Sequence, residues 1–184
     1  MQIANKYLED CKNIICKEIF NDPNLAEKCH VSYGFPSISA LAPKVRKIGE
    51  AWQHSGTEAI FINPCLFKKG NHIKVLGVLI HELIHIQIGV NKGHRNGFKA
   101  AMNYVGLTGK PTATEVGKNL LERLNALNLP KMPDLNLDYN RKKKDSTRLI
   151  LLMCSCERKI RASNTVIDKG GITCSLCNTE FKTV

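Results

Sequence analysis

The chain has 184 residues and a net charge of +11, from 27 Lys and Arg against 16 Asp and Glu. This length allows one sizeable core plus a small module, and the charge favours an anionic partner, nucleic acid before membrane. No apolar run is long enough to span a bilayer, and no secretory signal is apparent. We therefore expect a cytoplasmic protein, or one associated with DNA in the same reducing compartment. In such a compartment the eight cysteines are expected to be metal ligands or free thiols.

The N-terminal region is predicted to form an amphipathic helix over residues 1–20, because apolar side chains recur there at helical spacing. Cys11 and Cys16 fall among these apolar positions, and we interpret them as small core residues. A short strand is predicted over residues 31–35.

Residues 47–54 and 57–63 have the pattern of two strands joined by a turn at Ser55 and Gly56. The sequence therefore predicts a β-hairpin. Trp52, the only tryptophan, is interpreted as a core residue in preference to a base-stacking platform.

The stretch 73–90 predicts a helix that is apolar on nearly every side, which is typical of a buried helix. His81, Glu82 and His85 interrupt it, and burying such groups without partners would cost roughly 2 kcal/mol or more each. The two histidines are four residues apart, so both imidazoles can reach one metal ion. Glu82 is rotated by about 100° around the helix, which suits a general base that touches a metal-activated water. A core helix with two hydrogen-bonded histidines is the alternative.

A catalytic zinc ion needs three protein ligands and an open position. His94 is our choice for the third ligand, because Gly89 and Gly93 allow the chain to turn back after the helix. Glu115 is the alternative ligand.

After His94 the sequence predicts a second helix over residues 95–105 and a loop over residues 106–110. Thr112 and Glu115 have the spacing of a capping box, which predicts a third helix ending near residue 127. Asn71 is predicted to cap the helix that carries His81, Glu82 and His85, whose spacing is that of an HExxH motif.

Residues 131–147 are predicted to be a basic linker, which includes a run of four cations, Arg141, Lys142, Lys143 and Lys144. Such a run is often a solvated surface, and in a basic protein it can also contact phosphates, which require only positive charge and reach. Both interpretations stay open.

The C-terminal stretch contains two close cysteine pairs, Cys154 with Cys156 and Cys174 with Cys177. This layout is typical of a four-cysteine zinc ribbon, although ribbons usually have CxxC where this chain has CxC. Four thiolates complete a tetrahedron, so this zinc would be structural and would supply folding energy to a small module. A redox dithiol is the alternative. The module carries its own basic residues, which are Arg158, Lys159 and Arg161.

The segment HELIHIQIGVNKGHRNGF, followed by the cysteine module, resembles the SprT-like metalloproteases, the family that includes Spartan. Arg95 departs from the family, which often has glycine after the Gly-His pair. The resemblance implies an α+β fold, with a zincin-like metalloprotease domain of helices and a small antiparallel sheet followed by a β zinc ribbon. The resemblance runs from about Lys47 into the cysteine module. We therefore expect a SprT-like domain at residues 1–130, the basic linker at 131–147 and a zinc ribbon at 148–184.

The function expected from these features is zinc-dependent endopeptidase activity, with one catalytic and one structural zinc. The resemblance implies zinc on His81, His85 and His94, Glu82 as the base, and substrates that are bound or crosslinked to DNA, with single-stranded DNA as one option. We expect no membrane partner. Two alternatives stay open: a non-catalytic zinc-containing nucleic-acid-binding protein, and a protease of a specific regulatory protein without a DNA role.

Overall fold

The computed structural model describes residues 2–42, 46–95, 97–135 and 149–184. The chain divides into two compact units, Met1–Asn140 and Arg141–Val184. The described residues form helices with small antiparallel and mixed sheets, so the predicted α+β class is confirmed. No helix in these ranges is both long and apolar enough to cross a membrane.

The first unit begins with two helices, which are followed by three strands, two further helices, a β-hairpin and a last helix. Its helices are α1 (Gln2–Glu18), α2 (Asn24–Lys28), α3 (His72–Ile88), α4 (Phe98–Val105) and α5 (Lys118–Ala126). Its strands are β1 (Cys29–Tyr33), β2 (Gly49–His54), β3 (Thr57–Ile62), β4 (Leu107–Lys110) and β5 (Ala113–Val116).

Helix α1 covers one edge of the main sheet, whose strand order is β1-β3-β2. The Glu9 carboxylate accepts a hydrogen bond from the Val31 N–H at 2.7 Å, and the Asn5 side chain accepts one from the Tyr33 N–H at 2.7 Å. These polar side chains satisfy backbone donors that an edge strand would otherwise leave unpaired. Cys11 is fully buried on the same helix, as is Cys16, which confirms the prediction for both.

The predicted hairpin is confirmed as β2 and β3, which pair antiparallel, while β1 pairs parallel with β3. Ser55 and Gly56 both have positive φ, 49° and 80°, as a tight two-residue hairpin turn requires. Strand β2 is an edge of the sheet, and Trp52 on it is 45% exposed. The interpretation of Trp52 as a core residue is therefore wrong, because an edge strand leaves part of its length uncovered.

Helix α3 is buried along most of its length, as its apolar sequence predicts. Gly77 lies on the side that meets β5, where a Cβ would come within 2.7 Å of the Val116 side chain. Asn71 occupies the N-cap position, but it does not cap the helix, since its side chain donates to the Leu66 carbonyl at 3.1 Å.

Strands β4 and β5 form a second hairpin, in which Leu107 pairs with Val116 and Gly109 with Thr114. The predicted loop at 106–110 and the predicted capping box at Thr112 and Glu115 are both wrong. Helix α5 begins only at Lys118, after Gly117. Thr112 lies in the turn of this hairpin and Glu115 on β5, so the two residues do not cap a helix.

The second unit is built on a three-stranded sheet with order β7-β6-β8. Its elements are β6 (Ile150–Met153), β7 (Lys159–Ala162), the short helix α6 (Asn164–Ile167) and β8 (Lys182–Thr183). Leu152, Ala162 and Phe181 form a small core with Cys154 and Cys174. Strand β7 ends at Ala162, and α6 follows it after Ser163.

Candidate metal centres

Three histidines converge at the end of α3. His81 and His85 lie one turn apart on this helix, and the chain then reverses direction through Gly89 and Gly93 to bring His94 back. Both glycines have positive φ, 99° and 55°, a backbone conformation that favours glycine. One nitrogen from each ring lies within 4.8 Å of the others.

The spacing of these nitrogens fits a small metal ion. The Nε2 atoms of His81 and His94 are 3.1 Å apart. Zn–N bonds of 2.0–2.1 Å in a tetrahedron separate two ligand nitrogens by roughly 3.3 Å. The three rings also pack around Phe98, whose ring centroid lies 4.7–5.0 Å from each of theirs. The first residue of α4 thus holds the cluster together from the apolar side.

Thr114 belongs to the site, although the sequence did not point to it. Its Oγ1 lies 2.9 Å from Nδ1 of His81, which leaves the Nε2 of that ring directed at the cluster. Hydrogen bonds of this kind fix the orientation and tautomer of a ligating histidine. The sequence did not indicate this contact, because residues 112–127 have the pattern of a capped helix. In such a helix Thr114 would lie in the first turn and not on a strand beside His81.

All three histidines have lowered pKa values, which keeps their rings neutral near pH 7. Burial, followed by the charges of His85 and His94, lowers the pKa of His81 to about 3. Burial and His94 lower the pKa of His85 to about 4, and burial lowers the pKa of His94. A neutral imidazole has the free electron pair that a metal ligand needs.

Glu82 lies beside the cluster and is only 6% exposed. Burial raises the pKa of its carboxyl to about 8, while the charge of Lys47 and a hydrogen bond from the Ala51 N–H act in the opposite direction. Gly49 makes room for this carboxyl, because a Cβ there would lie 2.5 Å from Glu82 Oε1. The edge strand β2 therefore positions the carboxyl by contact and by a backbone hydrogen bond.

A cleft of about 540 Å³ opens over His81, Glu82, His85 and His94. Strand β2 and the segment before it line one side, and the turn of the β4–β5 hairpin lines the other. The lining residues on these two sides include Arg46, Lys47, Gly49, Glu50 and Ala51, and then Thr112, Ala113 and Thr114.

The alternative site residues lie elsewhere. Glu115 is exposed on β5, and since successive strand residues point to opposite faces, it points away from the face on which Thr114 meets His81. Tyr104, whose hydroxyl group could in principle stabilise an oxyanion, is 66% exposed on α4 and does not line the cleft.

The second unit brings Cys154, Cys156, Cys174 and Cys177 together, with their sulfur atoms within 4.8 Å of one another. All four are free thiols. The Sγ atom of Cys156 is 3.2 Å from that of Cys154 and 3.7 Å from that of Cys174. Zn–S bonds of about 2.3 Å in a tetrahedron separate two sulfurs by roughly 3.8 Å, so the four thiols are compatible with a zinc ion.

Neighbouring hydroxyl groups favour the thiolate form at this cluster. Hydrogen bonds from Thr179, whose Oγ1 lies 3.0 Å from the sulfur, and from Ser155 lower the pKa of Cys177 to about 5. Backbone N–H groups lower the pKa of Cys174, whereas the neighbouring thiols, Cys154 first, raise that of Cys156 to about 12. Cys174 and Cys177 therefore favour the thiolate form, which is the form of cysteine that binds a metal ion.

The predicted nucleic-acid residues fall into three groups. Arg141, Lys142, Lys143 and Lys144 lie outside the described residues. Arg158 has a guanidinium nitrogen 3.9 Å from the Cys174 sulfur, so it faces the cysteine cluster. Lys159 and Arg161 are exposed on β7.

Within the described residues, these two clusters are the groups of three or more His, Cys, Asp or Glu side chains that could hold a metal ion. Both are compatible with zinc. Comparison of the chain with protein-family models, with curated proteins and with solved structures found no match. What this chain does is therefore inferred from the chemistry of its two clusters and of the cleft above the first one.

Proposed function

We propose that this chain is a zinc-dependent endopeptidase, with a zincin-like catalytic unit and a C-terminal zinc ribbon, as the resemblance to SprT-like proteases implies. The observation that carries the proposal is the position of Glu82. Its carboxyl is buried beside three converging imidazoles, it is not one of the three ligands, and it lines an open cleft. A purely structural metal site has no use for such a carboxylate.

The chemistry follows from these groups. A zinc ion held by His81, His85 and His94 would polarise a carbonyl and lower the pKa of water to about 7. The charge of the bound ion would favour the ionised form of the Glu82 carboxyl, which burial alone disfavours. Glu82 then acts as general base and takes a proton from water, whose oxygen attacks the peptide carbonyl carbon. Glu82 returns the proton to the nitrogen as the C–N bond breaks.

An extended peptide fits the cleft best. Strand β2 is a sheet edge that lines the cleft at Gly49, Glu50 and Ala51. Such an edge can pair with the backbone of a substrate and select it by shape rather than by one side chain. Globular proteins would then need an unfolded or flexible segment to be cut.

We further propose that DNA brings substrates to the enzyme. The net charge of +11 supports this, as does one face of the β7-β6-β8 sheet. Lys159 and Lys182 both pair with Met153, while Arg161 pairs with Leu151 two residues away, so the three cations share a face. Phosphates would bind such a face without regard to base sequence.

The test compares Glu82→Gln with the wild type, and Glu115→Gln, an exposed glutamate on β5, is the matched control. The probes are fluorescein-labelled casein and a protein crosslinked to a single-stranded oligonucleotide. We expect Glu82→Gln to keep its zinc and its thermal stability while cleavage falls by at least about 100-fold. Cleavage at the wild-type rate by this variant would refute the proposal.

Two results would favour other functions. DNA binding without any proteolysis, unchanged in Glu82→Gln, would indicate a non-catalytic nucleic-acid-binding protein. Proteolysis without salt-dependent DNA affinity would indicate a protease of a specific protein partner.

A further inference from the structure

The cleft contains a cation that the proposed chemistry has not yet used. When water attacks a peptide carbonyl, negative charge develops on the carbonyl oxygen, and a fixed donor at that point is commonly a large source of rate acceleration. Among the described residues that line the cleft, the lysine and arginine side chains are those of Arg46 and Lys47. Arg46 is exposed, whereas Lys47 is partly buried.

The backbone of Lys47 is held on both sides. Its N–H donates to the Ser39 carbonyl at 3.3 Å, and its carbonyl accepts from the side chain of Asn63 at 2.8 Å. Asn63 is fully buried, and it also donates to the Ala40 carbonyl. The residue is thus fixed to the wall of the cleft, although it lies outside any helix or strand.

The side chain of Lys47 is fixed as well, by an ion pair with Glu50. That carboxylate also accepts from the Ser37 N–H at 2.7 Å and from the Ser37 hydroxyl at 2.9 Å. An ammonium group has three N–H donors. The Lys47 side chain is 36% exposed and Lys47 lines the cleft. The ammonium group therefore keeps donors that the bond to Glu50 does not use.

Lys47 lines the same cleft as Glu82 and the three histidines. A peptide that lies in this cleft over the cluster therefore meets the wall that carries Lys47.

We propose that Lys47, held by Glu50, donates a hydrogen bond to the carbonyl oxygen of the peptide bond as negative charge develops on it. This inference rests on the proposed endopeptidase function and assigns the oxyanion donor of that same site. In the addition step the carbonyl π electrons move to oxygen, where Lys47 stabilises them. In the breakdown step they re-form the carbonyl while Glu82 protonates the departing nitrogen.

The experiment uses the full-length, zinc-loaded protein and compares Lys47→Met and Lys47→Arg with Arg46→Met. The last variant is a matched control that removes the other cation of the cleft. Two quantities are measured: kcat and KM on fluorescein-labelled casein, and the calorimetric affinity for a phosphinic peptide, whose tetrahedral anionic phosphinate mimics the developing charge. Thermal stability and zinc content establish that each variant is folded and loaded.

We expect Lys47→Met to lower kcat by about 100- to 1,000-fold with little change in KM. Affinity for the phosphinic peptide should fall by about 10-fold or more, and Lys47→Arg should recover part of both losses. Arg46→Met, which removes the exposed cation of the cleft, should reduce both kcat and the affinity for the phosphinic peptide by less than Lys47→Met does. Glu50→Gln, which keeps the ammonium group but frees it, should reduce kcat less than Lys47→Met does.

Other outcomes separate this inference from the proposed function. If Lys47→Met cuts casein and binds the phosphinic peptide as the wild type does, Lys47 is not the donor and the endopeptidase proposal stands. If the wild type cuts nothing but binds the phosphinic peptide in a Lys47-dependent way, the anion site stands and the endopeptidase proposal fails. If it neither cuts nor binds, both are wrong. If Lys47→Met and Glu50→Gln lower kcat and phosphinic-peptide affinity equally, the role of Lys47 is only to form the ion pair with Glu50, and the inference is wrong.

Discussion

Thr114 Oγ1 lies 2.9 Å from Nδ1 of His81, which connects the β4–β5 hairpin to the histidine cluster. The threonine hydroxyl can accept a hydrogen bond from Nδ1–H. That arrangement leaves the electron pair of the neutral ring on Nε2, the atom that lies 3.1 Å from His94 Nε2. When Thr114 accepts in this way, the hairpin favours the tautomer of His81 that can bind a metal ion through Nε2.

We predict that Thr114→Val weakens metal binding at the histidine cluster by about 10- to 100-fold, because valine keeps the shape but loses the hydrogen bond. Competition against a chelator of known zinc affinity measures the change. Thr112→Val is the control, since Thr112 lines the same cleft from the same hairpin. Unchanged affinity in Thr114→Val would show that the hydrogen bond does not orient the ligand.

The two clusters should load independently, since the histidines and the cysteines belong to different compact units. Elemental analysis should find two zinc ions per wild-type chain and one in either His85→Ala or Cys174→Ser. Spectra of the cobalt-substituted protein distinguish the sites, because thiolate ligands give intense charge-transfer bands that Cys174→Ser should lose and His85→Ala should keep. Loss of both metals in either single variant would contradict this expectation.

Gly49→Ala should disturb Glu82, the proposed general base, without altering a residue of the histidine cluster. The new methyl group would lie 2.5 Å from Glu82 Oε1 and 2.6 Å from the Val78 side chain, so one of these groups must shift. We expect a loss of roughly 1–3 kcal/mol in the free energy of unfolding and a fall in cleavage with zinc retained. Urea unfolding and the casein assay measure the two effects.

The control for Gly49→Ala is Gln53→Ala, at an exposed position further along β2. This variant should match the wild type in both assays. If Gly49→Ala is as stable and as active as the control, strand β2 has more freedom to move away from α3 than the close approach indicates.

The ion pair of Glu50 with Lys47 predicts a specific pH dependence. Burial alone would raise the pKa of Glu50, but hydrogen bonds from Lys47, Ser37 and Trp52 outweigh it and lower the pKa from 4.5 to about 2. A carboxyl with a lowered pKa in the folded state contributes stability above the unfolded value. That contribution is lost as the pH falls from about 4.5 towards 2.

Glu50→Gln should therefore destabilise the metal-free protein by roughly 1 kcal/mol near neutral pH, since solvent screens the partly exposed lysine. The difference from the wild type should shrink as the pH is lowered from about 5 to about 3. Urea unfolding followed by the fluorescence of Trp52 reports on this strand directly. A difference that grows on acidification would have the wrong sign for the ion pair.

The sequence could identify His81, Glu82, His85 and the four cysteines. Spacing along one helix, or within one close pair of cysteines, fixes which side chains are neighbours. His94 could be proposed because glycines on either side of a short loop permit a return. The apolar character of α3 likewise required a partner for the charged groups within it.

Thr114, Gly49 and Lys47 could not be found in this way. Each acts on α3 from a different strand or loop, and no local pattern records which distant segments pack against a helix. The hairpin formed by β4 and β5 shows this most clearly, because its sequence also satisfies the pattern of a helix cap. The sequence alone determined which side chains could be metal ligands, because spacing within one element is a local property. Tertiary packing decided which side chains orient the proposed ligands and the proposed base, and which line the cleft above them.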